Sequence, residues 1–212
     1  MKYIQPSFFE KKVLPTIRFI YEDSMYEGTY DFYRIKDMLD QFSTGQLESK
    51  QWLIDEIQQF ITNDDSIFVC GGWYGLMSHM LAETKIPKKI VDYELDDQCR
   101  YLHDKLKVHN IVSTREGDGL EIFDNKDRNK ENVVFVCTAC EHIDEEDLYS
   151  ALSMKHPKML VALQSNDMYD IDSHINCHDS IDHFVETLPD MNILYKGALT
   201  IGDYSRFMVI AR

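Results

Sequence analysis

The chain has 212 residues, 44% of them hydrophobic, with five cysteines and a formal net charge of −15. This length and composition suit one globular domain, with room for an added subdomain, and exclude a disordered chain. The acidic balance argues against a broad nucleic-acid surface, which needs clustered Lys and Arg, and no apolar run approaches the roughly 20 residues that span a bilayer.

The segment Met1-Lys2-Tyr3-Ile4-Gln5-Pro6 lacks the apolar core of a signal peptide. An odd number of cysteines, mostly in expected strands or beside turns, argues against a disulfide framework. A reduced, cytoplasmic protein without a membrane anchor is expected.

Residues 6–62 read as helical. Phe8, Phe9, Val13, Ile17 and Ile20 recur at three- and four-residue spacing, and Pro15 is expected to kink or break that helix. The pattern returns from Tyr30 to Phe42 through Phe32, Ile35 and Leu39. It returns again after Ser43-Thr44-Gly45, in Trp52, Leu53, Ile57, Phe60 and Ile61. Lys2, Lys11, Lys12 and Arg18 read as a solvated helix face. Residues 1–63 are therefore expected to form a helical extension, serving either as packing or as a lid over a ligand site.

From residue 66 short apolar runs alternate with helical patterns. Strands are expected at 66–70, 89–94, 110–114, 132–137, 159–164, 192–200 and 204–211. Helices are expected at 74–84, 96–107, 118–123, 144–153 and 179–187. Such alternation implies a doubly wound α/β fold with a mostly parallel seven-stranded sheet covered on both faces. The last two runs are separated only by Gly202-Asp203-Tyr204 and read as a C-terminal antiparallel hairpin.

Several strand ends carry chemistry. After the first apolar run comes Gly71-Gly72-Trp73-Tyr74-Gly75, which serves equally well as a tight turn or as a backbone cradle for a ligand. The second strand ends in Val91-Asp92-Tyr93-Glu94, placing Glu94 to grip a ribose diol, with Asp92 alternating with it along the strand. Asp96 reads as the N-cap of the next helix. In Gly117-Asp118-Gly119, Asp118 can accept from an exocyclic amine or act as a turn residue.

The fourth strand ends in Cys137-Thr138-Ala139-Cys140-Glu141-His142, and the fifth in Gln164-Ser165-Asn166-Asp167. In open α/β sheets the carboxyl ends of strands face the ligand. Glu141 or His142 is thus a candidate general base, and Asn166 a candidate for orienting a carbonyl or amide. Cys137, Cys140, His142, His174 and Cys177 also have spacings that a soft metal tolerates, but not a standard paired-knuckle spacing, and no metal is expected.

The order of these segments over residues 64–212 resembles the class I S-adenosylmethionine-dependent methyltransferases, and Cys140-Glu141-His142, Leu163-Gln164-Ser165-Asn166 and Tyr204-Ser205-Arg206-Phe207-Met208 look like segments of small phage-type or bacterial members. The resemblance implies a Rossmann-like domain at 64–212 with S-adenosylmethionine as cofactor. It places Gly71, Gly72, Trp73 and Gly75 against the methionine part, Glu94 on the ribose hydroxyls, Asp118 at the adenine, and Cys140 beside the cofactor. Two departures stand out. Val69 occupies the position, two before the first glycine, where that family usually has an acid. The Asn/Asp-Pro-Pro-Tyr motif that accompanies methylation of exocyclic amines in DNA does not follow the fourth strand.

The expected function is methyl transfer from S-adenosylmethionine to a small molecule or protein side chain. Glu141, His142 and Asn166 would act on the acceptor. Nucleic-acid and membrane partners are not expected. The rival readings are a dinucleotide-dependent enzyme in the same pocket and a non-catalytic protein that keeps the fold to bind a nucleotide-like signal or a partner.

Overall fold

In a computed structural model of the chain, residues 4–30 and 33–212 are described; Met1, Lys2, Tyr3 and Phe32, named above, lie outside them. Among these residues seven strands form one sheet: β1 (Ser66–Cys70), β2 (Lys89–Glu94), β3 (Val112–Glu116), β4 (Val133–Cys137), β5 (Leu160–Asn166), β6 (Ile193–Ile201) and β7 (Tyr204–Ala211). Their order is β3-β2-β1-β4-β5-β7-β6. β7 runs antiparallel to both β5 and β6, and the other six strands run one way. The order reverses between β1 and β4, so the crevice of a doubly wound sheet opens at the carboxyl ends of those two strands.

Period-two alternation explains why both faces are covered. Ile67, Val69, Val134 and Val136 enter one apolar cluster; Phe68, Cys70, Val133, Phe135 and Cys137 enter the other. The first cluster is closed by α2 (Leu14–Tyr26), α4 (Thr44–Ile57), α5 (Leu76–Glu83) and α6 (Asp97–Leu106), the second by α7 (Glu145–Ser153) and α8 (Ile181–Glu186). Two further helices, α1 (Pro6–Phe8) and α3 (Tyr33–Asp40), contribute Phe8 and Met38 to the first cluster. Burial of a side chain such as Leu53 or Ile57 in α4 contributes about 1.5–3 kcal/mol each.

Pro15 does not break its helix. Between α1 and α2 the chain makes a π-helical stretch, Phe9–Val13, from which the Leu14 amide reaches back to the Phe9 carbonyl. Pro15 thus lies inside a continuous helical run, Pro6–Tyr26, and the wider π turn just before it accommodates a ring that an unbroken α ladder would not. The helix expected at 118–123 is a single 3-10 turn, Gly119–Ile122, capped by Asp118. The fifth strand runs further than its apolar residues: Gln164, Ser165 and Asn166 pair with Met208, Phe207 and Arg206, so β7 supplies the ladder partners that keep them extended.

The N-terminal helices are tied to the sheet domain by polar contacts as well as by the shared core. Trp52 Nε1 donates to Tyr195 Oη at 3.0 Å, and Gln164 Nε2 to the Ser49 carbonyl at 3.0 Å. Arg34 pairs with Asp96 at 2.9 Å. No helix among the described residues is long and apolar enough to cross a membrane.

Candidate active site

From the end of β1 the backbone turns through Gly71 (φ 65°), Gly72, Trp73 (φ 52°) and Gly75 (φ 83°). Gly72 lies directly over Asp92; a Cβ there would stand 1.5 Å from Oδ1 of that side chain. Trp73 is left-handed, a conformation an aromatic residue rarely adopts without a compensating contact. Its amide has one: it donates to Glu94 Oε2 at 2.7 Å. Glu94 Oε1 accepts from the Asp96 amide at 2.9 Å. The carboxylate at the tip of β2 is thus clamped against the glycine loop by two backbone donors.

Asp92 takes a different place from Glu94. It is fully buried beneath the loop, accepts from Ser78 Oγ, and lies 3.6 Å from His103 Nδ1. Burial pushes its carboxyl up to about 8, so it carries a proton at neutral pH. It supports the loop from below and does not reach the ligand side. Asp96 caps α6 as expected, accepting from the Gln98 and Cys99 amides at 2.8 and 3.1 Å. Asp118 accepts from the Leu120 amide at 2.8 Å while standing on the cleft wall.

At the ends of β4 and β5 the polar groups meet. Glu141 Oε1 accepts from Asn166 Nδ2 and from Arg206 Nη1, each at 2.7 Å. Glu141 Oε2 is buried and finds no hydrogen-bond partner among the described residues. Asn166 gives one amide hydrogen to Glu141, and its carbonyl accepts from the Met168 amide at 2.9 Å, so it helps to position Glu141. His142 and His174 stand edge to face with ring centroids 4.6 Å apart. Burial lowers His174 from its ordinary value.

These groups border one cleft of about 1240 Å³. Gly71, Gly72, Trp73, Glu94 and Asp118 line one end; Glu141, His142, His174 and Asn166 line the other. The volume exceeds the roughly 300–1,000 Å³ of an ordinary small-molecule pocket and has room for two ligands side by side. Asp40, Gln41, Gln46 and Lys50 of the N-terminal helices form part of its wall.

Two expected ligand contacts lie elsewhere. Gly75 begins α5 off the cleft wall, where a Cβ would meet the His103 ring at 2.2 Å. Cys140 is turned into the core with Phe135 and Leu148, and burial holds its thiol well above the usual range. The five-residue soft-metal set does not assemble either, because Cys137 and Cys140 are buried while Cys177 Sγ bonds Asn166 Oδ1 at 3.4 Å. Instead, Glu141, His142 and His174 bring one donor atom each within 4.8 Å of the others. A second such group, His79, Glu83 and His109, lies on α5 and the turn before β3, away from the cleft wall.

Sequence reasoning missed Lys50 and Arg206. Both had a visible signal: each is a cation on the apolar face of its element, Lys50 three and four residues before Leu53 and Ile54, Arg206 beside Phe207 in an apolar strand. Burial and the neighbouring Arg206 bring the Lys50 amine down to about 7. Its partner is Gln46 Oε1.

Neither family models nor curated proteins matched the chain in sequence. Solved structures do match in fold. A S-adenosylmethionine-dependent methyltransferase from Anabaena variabilis is 12% identical, with 94% of each chain covered and a TM-score of 0.60. Geranyl diphosphate C-methyltransferase from Streptomyces coelicolor, solved with Mg2+, geranyl diphosphate and S-adenosyl-L-homocysteine, is 14% identical; the match covers 78% of this chain and 80% of that one, with a TM-score of 0.58. The M. capricolum protein TrmK, solved with S-adenosyl-homocysteine, is 13% identical, with 75% of this chain and 66% of that one covered and a TM-score of 0.54. At these identities the likeness is one of architecture: the chain has the fold of the S-adenosylmethionine-dependent methyltransferases.

Proposed function

We propose that the chain is an S-adenosylmethionine-dependent methyltransferase acting on a small molecule or a protein side chain. The observation that carries this reading is the clamped Glu94 carboxylate beside the glycine loop, at one end of a cleft whose other end holds Glu141 and His142. In this reading Gly71, Gly72 and Trp73 lie against the methionine part, Glu94 takes the ribose hydroxyls and Asp118 the adenine. Val69 is buried in the core, so the methionine amine needs another partner; Asp40, which the N-terminal helices place on the cleft wall, is a candidate. Residues 1–63 then act as a cover over the cofactor domain at 64–212.

Transfer is an in-line displacement at the methyl carbon, so alignment supplies most of the catalysis. The free oxygen of Glu141 and the imidazole of His142 offer lone pairs to the acceptor's proton. Asn166 and Arg206 hold Glu141 in place. The five free cysteines fit a reducing, cytoplasmic setting, and the charge of −15 disfavours nucleic acid as the acceptor.

Calorimetry with S-adenosylmethionine, its demethylated product and a nicotinamide dinucleotide tests the assignment. The first two should bind, and Glu94→Ala should weaken them at least about tenfold, the equivalent of 1.4 kcal/mol. Unchanged affinity in that variant, or preference for the dinucleotide, refutes it.

A further inference from the structure

We infer that Glu141, His142 and His174 form a divalent-cation site at the acceptor end of the cleft, and that the methyl acceptor is a hydroxyl compound ligating that cation through oxygen. The inference rests on the methyltransferase reading above.

The hydrogen bonds around the three side chains leave one lone pair of each uncommitted. His142 Nδ1 is 3.0 Å from the Ser173 carbonyl, and His174 Nδ1 is 3.2 Å from the Met168 carbonyl. A carbonyl only accepts, so in the neutral imidazole each Nδ1 carries the proton and each Nε2 keeps a lone pair. Backbone anchoring of one ring nitrogen is how metal-binding imidazoles are oriented. In Glu141, Oε1 is taken by Asn166 and Arg206, whereas Oε2 is orphaned although the residue is only 2% exposed. A buried carboxylate oxygen without a donor calls for a missing partner.

One donor atom from each residue already lies within 4.8 Å of the others, so small side-chain movements close the set. Two imidazoles and a carboxylate suit Mn2+, Fe2+ or Zn2+ and leave coordination positions open to a substrate. Arg206 engages the far oxygen of Glu141, and Asp144 and Asp147 on the same wall offset the added positive charge. The cation would lower the pKa of a ligating hydroxyl as it does that of bound water. That proton leaves to solvent. The oxygen then forms a bond to the methyl carbon while the carbon–sulfur bond breaks, its electron pair staying on sulfur, to give a methyl ether and a neutral thioether. With the cation bound, Glu141 and His142 serve as its ligands in place of the proton-accepting role they offer without it, and His174 stays a ligand throughout.

The test is titration of the full-length protein with Mn2+, followed by loss of the free-ion electron paramagnetic resonance signal, with S-adenosylmethionine affinity measured on the same samples. One Mn2+ per chain is expected, with affinity lowered at least tenfold in both His174→Ala and His142→Ala while cofactor binding is kept. His142 is exposed, which keeps that variant informative if His174→Ala fails to fold. Absence of stoichiometric Mn2+ binding overturns the inference. So does binding equal in all three proteins, which would put the ion on His79, Glu83 and His109. If cofactor binds and Mn2+ does not, only this inference falls; if cofactor fails to bind the wild type, the methyltransferase reading falls with it.

Discussion

Arg206 of β7 donates to Glu141 in the turn after β4 at 2.7 Å, with side chains only 6% and 2% exposed. The pair ties the last strand of the sheet to the Glu141–His142 end of the cleft, across 65 residues of sequence. Removing one partner strands the other charge in a low-dielectric site. Arg206→Met should therefore cost about 3–5 kcal/mol, read as a lower urea midpoint at unchanged m-value. Arg206→Met combined with Glu141→Gln should recover much of the loss, because neither member of the pair is left as a lone charge. A double variant as unstable as the sum of the two singles would contradict this account.

Gly72 touches Asp92 so closely that any side chain must displace the loop or the carboxyl. Gly72→Ala is expected to lower stability by about 2 kcal/mol or more, in the range of overpacked positions. It should also weaken cofactor binding, since the Trp73 amide moves with the loop and releases Glu94. Gly28, where a Cβ meets nothing within 4 Å, is the comparison: alanine there should leave cofactor affinity unchanged. Calorimetry on both variants separates the two outcomes.

Burial lowers His79, His103 and His178 from 6.5 to about 4 each. Between those values the unfolded chain binds protons that the folded chain does not, so stability rises with pH across this window. Asp92, raised from 3.8 to about 8 by burial, acts oppositely, because the folded form holds the extra proton. Three groups outweigh one. The melting temperature should fall as pH drops from about 6.5 towards 4, and His178→Gln should flatten that fall. A melting temperature constant over this range would contradict it.

Lys50 titrates near 7 in the fold and near 10.5 when unfolded. The unfolded state binds more protons between those values, so this residue makes stability rise as pH increases through that window. Below about 7 the cost of burying its charge is fully present. Lys50→Met should accordingly be more stable than the parent at pH 6, with the gain shrinking steadily towards pH 10. Denaturant unfolding of both proteins at several pH values measures the difference directly.

Much of the fold was legible because it follows from local periodicity. The switch from helical spacing to short apolar runs at Ser66 marks where the sheet begins, and Gly202-Asp203 marks the final turn. The glycine loop and Glu94 were legible for the same reason: a strand, a turn and a strand end are adjacent in sequence or one helix apart. At Pro15 the helix does not break, because the preceding turn widens, and a spacing pattern does not encode that.

The site divides along the same line. By itself the sequence determined which residues stand at the carboxyl ends of β1, β2 and β4, since those strand ends are set by apolar runs of four to six residues, whereas β5 is prolonged by its pairing with β7. Only the tertiary structure decided which of them face the cleft. Cys140 and Glu141 are neighbours, yet one turns into the core and the other towards Arg206. Asp92 and Glu94 share a strand face, yet Gly72 covers the first and leaves the second at the rim. Lys50, His174 and Arg206 reach the same cleft from a helix, a loop and a strand far apart in the chain. Their meeting depends on packing over long sequence separations, and no local pattern records it.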